Sequence, residues 1–277
     1  MSLSDTETRS TKDLEREWHD SFFRDHGRED FPPTSEEFRA WFHRVDLTSF
    51  CDGGWSYWAD PRVEALGKLG DLRTKQVLDY GCGSGKLGVY LSLQGANVWG
   101  FDLSVSGVEV AKEVAGRYGL SAEFEQMDAE DLRYPSDFFD YVVSFGVLHH
   151  VIKYPKAAAH LYRVVKPGGQ AIFVETLWDN PLINLARRFT TPDADAGDTK
   201  LTEDGIYEFC RSFKEIRLEK RNLVYMLKRL AKLPERDLTA PLRPRPFWRA
   251  VKSLDQKLLQ VRPLRRYCGE VIISLRK

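Results

Sequence analysis

The residues with the clearest chemical potential are an acid and the glycines that follow it. Asp79 ends a short apolar run, and four glycines follow it, at Gly81, Gly83, Gly85 and Gly88. Glycine permits positive φ angles and lets a ligand come close to the backbone. A helical pattern begins directly after this turn, and the start of a helix offers free N–H groups to polar or anionic atoms. The stretch therefore predicts a buried strand, a tight glycine turn and a helix that together bind a ligand.

Three classes of ligand site use a turn of this kind. A phosphate-binding P-loop is excluded, because Gly81 to Gly85 is one residue too short and Leu87 stands where Ser or Thr is needed. The dinucleotide pattern G-x-G-x-x-G is present at residues 83–88, so an NAD(P)-dependent oxidoreductase is an alternative. Asp79 favours the third class, a site for a ligand that carries a free ammonium group. A carboxylate would repel a pyrophosphate, but it can accept hydrogen bonds from an ammonium group.

Four further motifs follow the glycine turn in sequence order. Asp102 closes a second predicted strand, and Asp128 and Ala129 follow a third. Residues 140–150 form a fourth strand that runs into a pair of histidines, and residues 161–169 end in Lys-Pro-Gly-Gly. Together with the opening Asp-Tyr-Gly-Cys-Gly-Ser-Gly, these motifs resemble class I S-adenosylmethionine-dependent methyltransferases, and within that class the type 11 and ubiquinone-biosynthesis-like small-molecule methyltransferases.

The resemblance, which covers roughly residues 70–177, implies an α/β fold of the Rossmann-like kind. The implied sheet has seven strands and is mostly parallel, with helices on both faces and an antiparallel last strand. Residues 1–60 are expected to form an N-terminal helical lid, and residues 61–277 the methyltransferase domain. Helical insertions at about 177–202 and 221–266 are expected to cap the active site.

The alternation of apolar runs with helical patterns points to the same parallel sheet. Ligands on such a sheet bind at the carboxyl ends of the strands. The predicted strands lie near residues 76–80, 97–101, 122–126, 139–145, 170–176, 213–220 and 268–276. The predicted core helices lie near residues 61–69, 86–94, 104–117, 155–166 and 203–212.

The resemblance implies S-adenosylmethionine as cofactor and S-adenosylhomocysteine as product. Asp102 is expected to accept the ribose hydroxyls, and Asp128 the adenine amino group. Purely structural roles are the alternatives: Asp102 could cap the next helix at its N-terminus, and Asp128 could be a turn acid. Asp79 is expected to hold the amine of the cofactor or simply to order the glycine turn. The remaining expected cofactor contacts come from backbone or apolar groups near these acids: Gly81, Gly83, Gly85, Leu103, Ala129, Phe145 and Gly146.

Methyl transfer demands little beyond alignment, because the sulfonium already activates the methyl group. A hydroxyl acceptor also needs a base, and His149 and His150 follow the fourth strand beside the expected methyl position. A His pair is common in family members with different acceptors, so packing or loop hydrogen bonding is an alternative. No metal is expected, because Gly146 stands where a metal-binding branch of the family has Glu. The predicted acceptor is a small molecule or lipid, and O-methylation is favoured.

Residues outside the core are expected to contact the acceptor or cover the site. Tyr57 and Trp58 lie in an aromatic stretch before the first core helix, and plain packing on that helix is the alternative. Asn180 and Arg187 lie in the insertion after the fifth strand. These two side chains could bind an acidic acceptor, and a solvated helix face is the alternative.

An N-terminal helix is predicted well before the core. Its apolar residues recur at helical spacing near residues 13–30 and place Trp18, Phe22 and Phe23 on one side. His19 belongs to the same stretch. We assign this histidine to a surface or cap position, because no partner spacing suggests a metal site.

The charges balance overall but are unevenly distributed. With 41 basic and 41 acidic residues, the chain has no net field that would favour nucleic acid, and no nucleic-acid partner is expected. Residues 1–60 carry 14 acids and 7 bases, whereas residues 221–277 carry 4 acids and 15 bases. The basic insertion at 221–266 is interpreted first as a cap, and second as a peripheral contact with an anionic membrane.

The cysteines and the N-terminus indicate a cytoplasmic chain. The four cysteines are scattered without metal spacing, and the polar N-terminus shows no signal peptide. The alternative outside enzymes is a non-catalytic S-adenosylmethionine-binding interaction module. Such a module would have little need for Asp79, Asp102 and Asp128. Neither the acceptor nor the oligomeric state follows from the sequence.

Overall fold

The structure is a computed structural model that describes residues 10–26, 31–44, 61–178, 180–181, 199–224 and 246–277. Its strands are β1 (Gln76–Tyr80), β2 (Asn97–Asp102), β3 (Glu123–Gln126), β4 (Phe139–Phe145), β5 (Val165–Thr176), β6 (Glu215–Arg221) and β7 (Glu270–Arg276). Its helices are α1 (Thr11–His26), α2 (Ser35–Arg44), α3 (Pro61–Leu66), α4 (Lys86–Leu93), α5 (Val105–Arg117), α6 (Leu148–Val151), α7 (Pro155–Val164), α8 (Glu203–Cys210) and α9 (Pro246–Leu258). A 3-10 helix covers Arg262–Tyr267.

The strands form one sheet in the order β3-β2-β1-β4-β5-β7-β6. The pairs from β3 through β5 are parallel, and β7 runs antiparallel to both of its neighbours. The predicted fold class, a seven-stranded and mostly parallel sheet with an antiparallel last strand, is therefore confirmed. The order reverses between β1 and β4, which is where open parallel sheets bind their ligands.

The sheet is buried on both faces, as the apolar runs require. Val77 and Leu78 are consecutive residues of β1 with 0% exposure, and they belong to separate hydrophobic clusters. Successive side chains of a strand point to opposite faces, so one cluster packs on each side of β1. The acid of this strand, Asp79, is its second-last residue, pairs with Gly100 and Val143, and therefore lies near the carboxyl end of β1.

The observed strand β5 begins five residues before the predicted one. Val165 pairs with Phe139, the register then shifts, and pairing resumes at Gln170 with Tyr141. Gly168 has φ +78° in the intervening stretch, a conformation that glycine adopts without strain. The early start also explains why α7 ends at Val164 rather than near residue 166, because the chain passes directly from helix to strand.

Helix α1 packs against α5. Its aromatic rings lie next to one another, in agreement with the prediction that they share one side, with Phe22 5.5 Å from Trp18 and 5.4 Å from Phe23 between ring centroids. Trp18 and Phe22 are 49% and 43% exposed. Phe23 instead faces the glycine turn, where its ring would lie 2.7 Å from a Cβ added at Gly83. The polar residues Lys12, Glu15 and Asp20 of α1 also make contacts with the domain.

Candidate functional site

The glycine turn between β1 and α4 is built from left-handed backbone. Gly81, Gly83 and Gly85 have φ angles of +73°, +48° and +74°. A Cβ at Gly81 would lie 2.6 Å from the side chain of Val147, in the loop after β4. A Cβ at Gly85 would lie 2.6 Å from the Ala111 Cβ of α5. Both positions therefore require glycine for conformation and for close approach, as the motif predicts.

Asp79 holds the far side of this turn. Its side chain is 2% exposed, and its Oδ2 accepts a hydrogen bond of 2.8 Å from the backbone N–H of Gly88 in the first turn of α4. Of the two roles predicted for Asp79, ordering of the glycine turn is thus observed. A contact with a ligand amine stays a prediction.

Asp102 lies at the end of β2 with its carboxylate turned toward the glycine turn. Its Oδ2 accepts the N–H of Gly83 at 2.8 Å, and its Oδ1 accepts the N–H of Ser104 at 2.9 Å. The N-cap of α5 is Ser104, whose hydroxyl accepts the N–H of Gly107 at 3.0 Å. Burial raises the pKa of the Asp102 carboxyl, and the two backbone N–H groups oppose that shift. Each carboxylate oxygen can accept more than one hydrogen bond, so Asp102 keeps capacity for a diol.

Asp128 follows β3 and is paired with a residue from α1. Its Oδ1 accepts the N–H of Glu130 at 2.9 Å, and Lys12 Nζ contacts its Oδ2 at 2.7 Å and Glu130 Oε2 at 2.5 Å. Burial alone would lower the pKa of Lys12, but the hydrogen bonds to the two carboxylates outweigh burial and raise it. Ala129 between the two acids is buried in the core. The hydrogen bond from the Glu130 N–H to Oδ1 is the contact expected of a turn acid, which was the structural alternative for Asp128.

Helix α1, which belongs to the segment predicted as an N-terminal helical lid, lies against the loops at this edge of the sheet. Besides Lys12, its Glu15 accepts from Lys153 Nζ at 2.6 Å. Its Asp20 accepts from the Ser104 hydroxyl at 2.6 Å and from the Ser106 N–H at 3.1 Å. These contacts join α1 to the loops after β2, β3 and β4. The charged residues Lys12, Glu15 and Asp20 were visible in the sequence of this helix, but no sequence pattern indicated the residues that they contact.

His19 of α1, for which a surface or cap position was predicted, is half-buried and lies beside the predicted histidine pair. Its ring packs edge-on against that of His150 with centroids 5.2 Å apart. The rings of His150 and His149 are 4.1 Å apart. Burial lowers the pKa of His150 to about 2, and the neighbouring His149, His19 and Lys153 act in the same direction. His150 is therefore neutral near pH 7.

His149 has a buried carboxylate behind its ring. Its Nδ1 lies 2.8 Å from Oε2 of Glu175, which is 2% exposed and ends the apolar run of β5. Glu175 Oε1 accepts the N–H groups of Val147 at 2.8 Å and Leu148 at 2.6 Å. Glu175 was missed by the sequence analysis. The available signal was an acid near the carboxyl end of a strand, as at Asp79 and Asp102.

The remaining predicted cofactor residues lie at the same edge. Phe145 ends β4 and is half-buried. Gly146 follows with φ +71° and donates its N–H to the Val174 carbonyl at 2.9 Å. Leu103 is half-buried, and its carbonyl accepts from the Gln126 side chain at 3.3 Å. The structure thus brings the predicted cofactor residues to one edge, and their contacts with a cofactor stay predictions.

The predicted lid and acceptor residues are only partly described. Tyr57, Trp58 and Arg187 lie outside the described residues. Asn180 is fully buried, and its Nδ2 donates to the Leu223 carbonyl at 3.0 Å. That bond gives Asn180 a structural role, while its contact with an acceptor stays a prediction.

The part of the chain that the structure describes contains neither a grouped set of metal ligands nor a membrane-spanning helix. Within it, no three His, Cys, Asp or Glu residues are grouped so that they could hold a metal ion. Among the helices described, none combines the length and apolarity needed to span a bilayer.

Comparisons with known proteins agree with this geometry. A sequence model of the methyltransferase domain family matches residues 78–173. The ubiquinone biosynthesis O-methyltransferase of Pseudomonas syringae pv. tomato is 37% identical over 121 residues, which is 43% of this chain and 52% of that protein. The chain thus aligns with about half the length of the curated relatives it matches.

Solved structures show the same fold at low sequence identity. An S-adenosylmethionine-dependent methyltransferase from Mesorhizobium loti is 18% identical, with a TM-score of 0.55 over 78% of this chain and 96% of that chain. Haemonchus contortus phosphoethanolamine N-methyltransferase 2, bound to phosphomonomethylethanolamine and S-adenosylhomocysteine, is 18% identical. Its TM-score is 0.59 over 94% of this chain and 60% of that chain. Residues 78–173 thus match the methyltransferase domain family, and the curated relatives and the shared fold agree with the resemblance found in the sequence.

Proposed function

We propose that this chain is an S-adenosylmethionine-dependent methyltransferase that methylates a hydroxyl group of a small-molecule acceptor. The observation that carries the proposal is the arrangement of Asp79, Asp102 and Asp128. These acids follow or end the neighbouring strands β1, β2 and β3 around a turn of left-handed glycines. The names of the curated relatives, ubiquinone biosynthesis O-methyltransferases, support oxygen as the methylated atom.

The donor set fits the chemistry of the cofactor. The two Asp102 oxygens can each accept a ribose hydroxyl in addition to their backbone donors. Asp128 would accept the adenine amino group, with the Ala129 N–H as a donor and with Leu103 and Phe145 as apolar neighbours. The amino-acid tail would lie against the glycine turn between β1 and α4. When bound, S-adenosylmethionine supplies a methyl group that is activated by a sulfonium and leaves behind a neutral thioether.

His149 is the better of the two predicted bases. A base must hold a proton near the pH at which it works, and burial lowers the pKa of His150 to about 2. His149 keeps 14% of its side chain exposed and has Glu175 against its Nδ1. We therefore assign proton removal from the acceptor hydroxyl to His149, and packing against α1 to His150.

We also propose that the basic C-terminal region contacts an anionic membrane. Leu254 and Val261 are 50% and 48% exposed. The side chains of Arg262, Arg265 and Arg266 are exposed directly after them. An apolar and basic surface of this kind is attracted to anionic lipid. Sedimentation with anionic and with neutral vesicles tests the idea, and equal binding to both would contradict it. A cytoplasmic location stays a prediction.

Calorimetric titration with S-adenosylhomocysteine tests the proposed function, with NADH and NADPH in parallel. We expect one-site binding of the first ligand alone. Asp102→Asn should weaken this binding by roughly 10-fold to 100-fold, because a hydrogen bond to a charged group contributes about 1.5–3 kcal/mol. Asp71→Asn is the matched control, since Asp71 is an exposed acid paired with Arg73.

The outcomes separate the alternatives. Binding of a nicotinamide cofactor instead would establish the oxidoreductase. Unchanged affinity in the Asp102 variant would contradict the ribose assignment. Binding of S-adenosylhomocysteine without transfer of a labelled methyl group to any acceptor, in a broad screen of phenols and other hydroxyl compounds, would favour the non-catalytic module.

A further inference from the structure

We propose that Glu175 is the positioning residue of methyl transfer, because it fixes His149 in the tautomer that leaves Nε2 as the basic atom. The proposal rests on the proposed function, and it deepens that function by naming the atom that takes the proton. It assigns Glu175 a role at the reacting centre although the residue itself is buried and cannot touch the acceptor.

The hydrogen bonds of Glu175 determine which nitrogen of His149 carries a proton. Two backbone N–H groups, from Val147 and Leu148, point at Oε1, and His149 Nδ1 lies 2.8 Å from Oε2. Oε1 already accepts from two backbone donors, and a glutamate side chain is ordinarily ionised near pH 7. An ionised carboxylate only accepts hydrogen bonds, so Nδ1 must donate its proton. In a neutral imidazole the lone pair then lies on Nε2.

The same carboxylate also fixes the backbone that carries the ring. Val147 and Leu148 immediately precede His149, and Leu148 begins α6. Beyond the ring, the carbonyl of His149 accepts the N–H of Thr199 at 3.0 Å. Glu175 therefore sets both the position of the loop and the orientation of the imidazole. Preorganisation of this kind is what a positioned base requires.

The proton transfer then balances within these residues. As the acceptor oxygen uses an electron pair to bond the methyl carbon, the carbon–sulfur bond of the donor would break and leave its electron pair on the thioether sulfur. The O–H bond of the acceptor would break as well, and its proton would move to Nε2 of His149. The imidazole becomes an imidazolium with N–H groups at both nitrogens. Glu175 stabilises that positive charge through the Nδ1–H bond already present, since charge-assisted hydrogen bonds are the stronger ones. No further oxidant, reductant or metal is needed.

Nuclear magnetic resonance of ¹⁵N-labelled histidine tests the tautomer directly and does not require an acceptor. In wild type at pH 8 we expect the His149 signals of a neutral ring protonated at Nδ1, assigned by their loss in His149→Gln. Glu175→Gln should shift the ring toward the Nε2–H tautomer, because the amide can donate to Nδ1 as well as accept. Glu208→Gln is the control, since Glu208 is an exposed glutamate paired with Arg211.

The wild-type spectrum decides the matter even if the Glu175 variant does not fold. A neutral His149 ring protonated at Nε2 in wild type would overturn the proposal, as would an unchanged tautomer in a folded Glu175→Gln protein. Once an acceptor is found, Glu175→Gln should lower turnover by about 100-fold or more, while its affinity for S-adenosylhomocysteine stays within about 3-fold of wild type. If wild type binds no S-adenosylhomocysteine, the proposed function fails, whereas the tautomer still reports on Glu175.

Discussion

The proposed cofactor site has two walls, and they are held in different ways. One wall is the carboxyl edge of the sheet, where Asp79 bonds the N–H of a residue 9 positions away and Asp102 bonds residues 2 and 19 positions away. The other wall is α1, whose Lys12 and Glu15 bond residues 116 and 138 positions away. The contacts of the sheet edge join residues that are close in the sequence, whereas the contacts of α1 can form only after the rest of the domain has folded.

The two walls also differ in the forces that hold them. Buried strands with apolar clusters on both faces support the sheet edge. Ion pairs and hydrogen bonds dominate the inner face of α1, while Leu14, Trp18 and Phe22 are between 43% and 49% exposed. Polar contacts at a partly exposed surface contribute less than apolar burial. We therefore expect changes in the sheet edge to cost far more stability than changes in α1.

The largest effect should come from Gly85→Ala in the sheet edge. The left-handed backbone costs a residue with a Cβ about 1–2 kcal/mol. The added Cβ would also lie 2.6 Å from the Ala111 Cβ and 2.9 Å from its Cα, so α5 would have to shift. Overpacking of this kind costs about 1–3 kcal/mol more. We expect a loss of about 3 kcal/mol in the free energy of unfolding, measured by urea denaturation.

Gly116→Ala is the matched control for this change. Gly116 lies in the last turn of α5, and an added Cβ there would meet no atom within 4 Å. Alanine is the better helix former, so the variant should gain about 0.5–1 kcal/mol. Equal effects of the two substitutions would contradict the view that the glycine turn is rigid.

Much of the sheet edge could be predicted from the sequence because its signals are local. The bounds of β1 and β4 agree with the predicted ones at both ends. The glycine pattern fixes the turn after β1 through φ angles alone, and the acids that end strands must lie at the edge. The family resemblance added the antiparallel position of β7, which periodicity cannot give.

The rest depends on contacts that no local pattern encodes. Glu175 and His149 are 26 residues apart, and no sequence pattern in either segment indicates that the two side chains meet. Lys12 reaches Asp128 only because α1 packs on α5. The outward direction of Trp18 could not be predicted either, because amphipathic periodicity identifies a face and not what the face meets.

The second prediction concerns His150, where the two walls meet. Its pKa of about 2 is below the ordinary value of about 6.5, so below pH 6.5 the unfolded chain binds a proton that the folded chain does not. Stability should therefore fall as the pH falls below 6.5, by up to about 1.4 kcal/mol per pH unit from this residue. His150→Gln should remove that part of the slope between pH 6.5 and 5, measured by urea denaturation at each pH.

The comparison of slopes also tests whether α1 is docked in solution. The His150 ring is covered in part by His19 of α1. If α1 were detached, His150 would be solvated, and the pH profiles of wild type and His150→Gln would run parallel. Gly116→Ala is the control, since it changes no titratable group and an added Cβ there meets no atom within 4 Å, so it should leave the wild-type slope unchanged.

The smallest effect on stability should come from Lys12→Met in α1. The substitution removes two ion pairs whose side chains are between 22% and 33% exposed, so we expect a loss of about 1 kcal/mol or less. It also leaves Asp128 and Glu130 next to each other without their shared cation. Their repulsion acts on the loop after β3, whereas the side chains of Asp79 and Asp102 accept hydrogen bonds from Gly88, Gly83 and Ser104.

Hydrogen exchange read peptide by peptide is the measurement suited to so small a change. In Lys12→Met the amides of α1 should exchange faster, because weakly held segments open locally without global unfolding. Those of β1 and β2 should keep their wild-type rates. Arg24→Met is the control on the same helix, since Arg24 is exposed and its loss should alter neither region. Faster exchange in β1 and β2 together with α1 would show that the two walls form one cooperative unit, and the distinction between them would then fail.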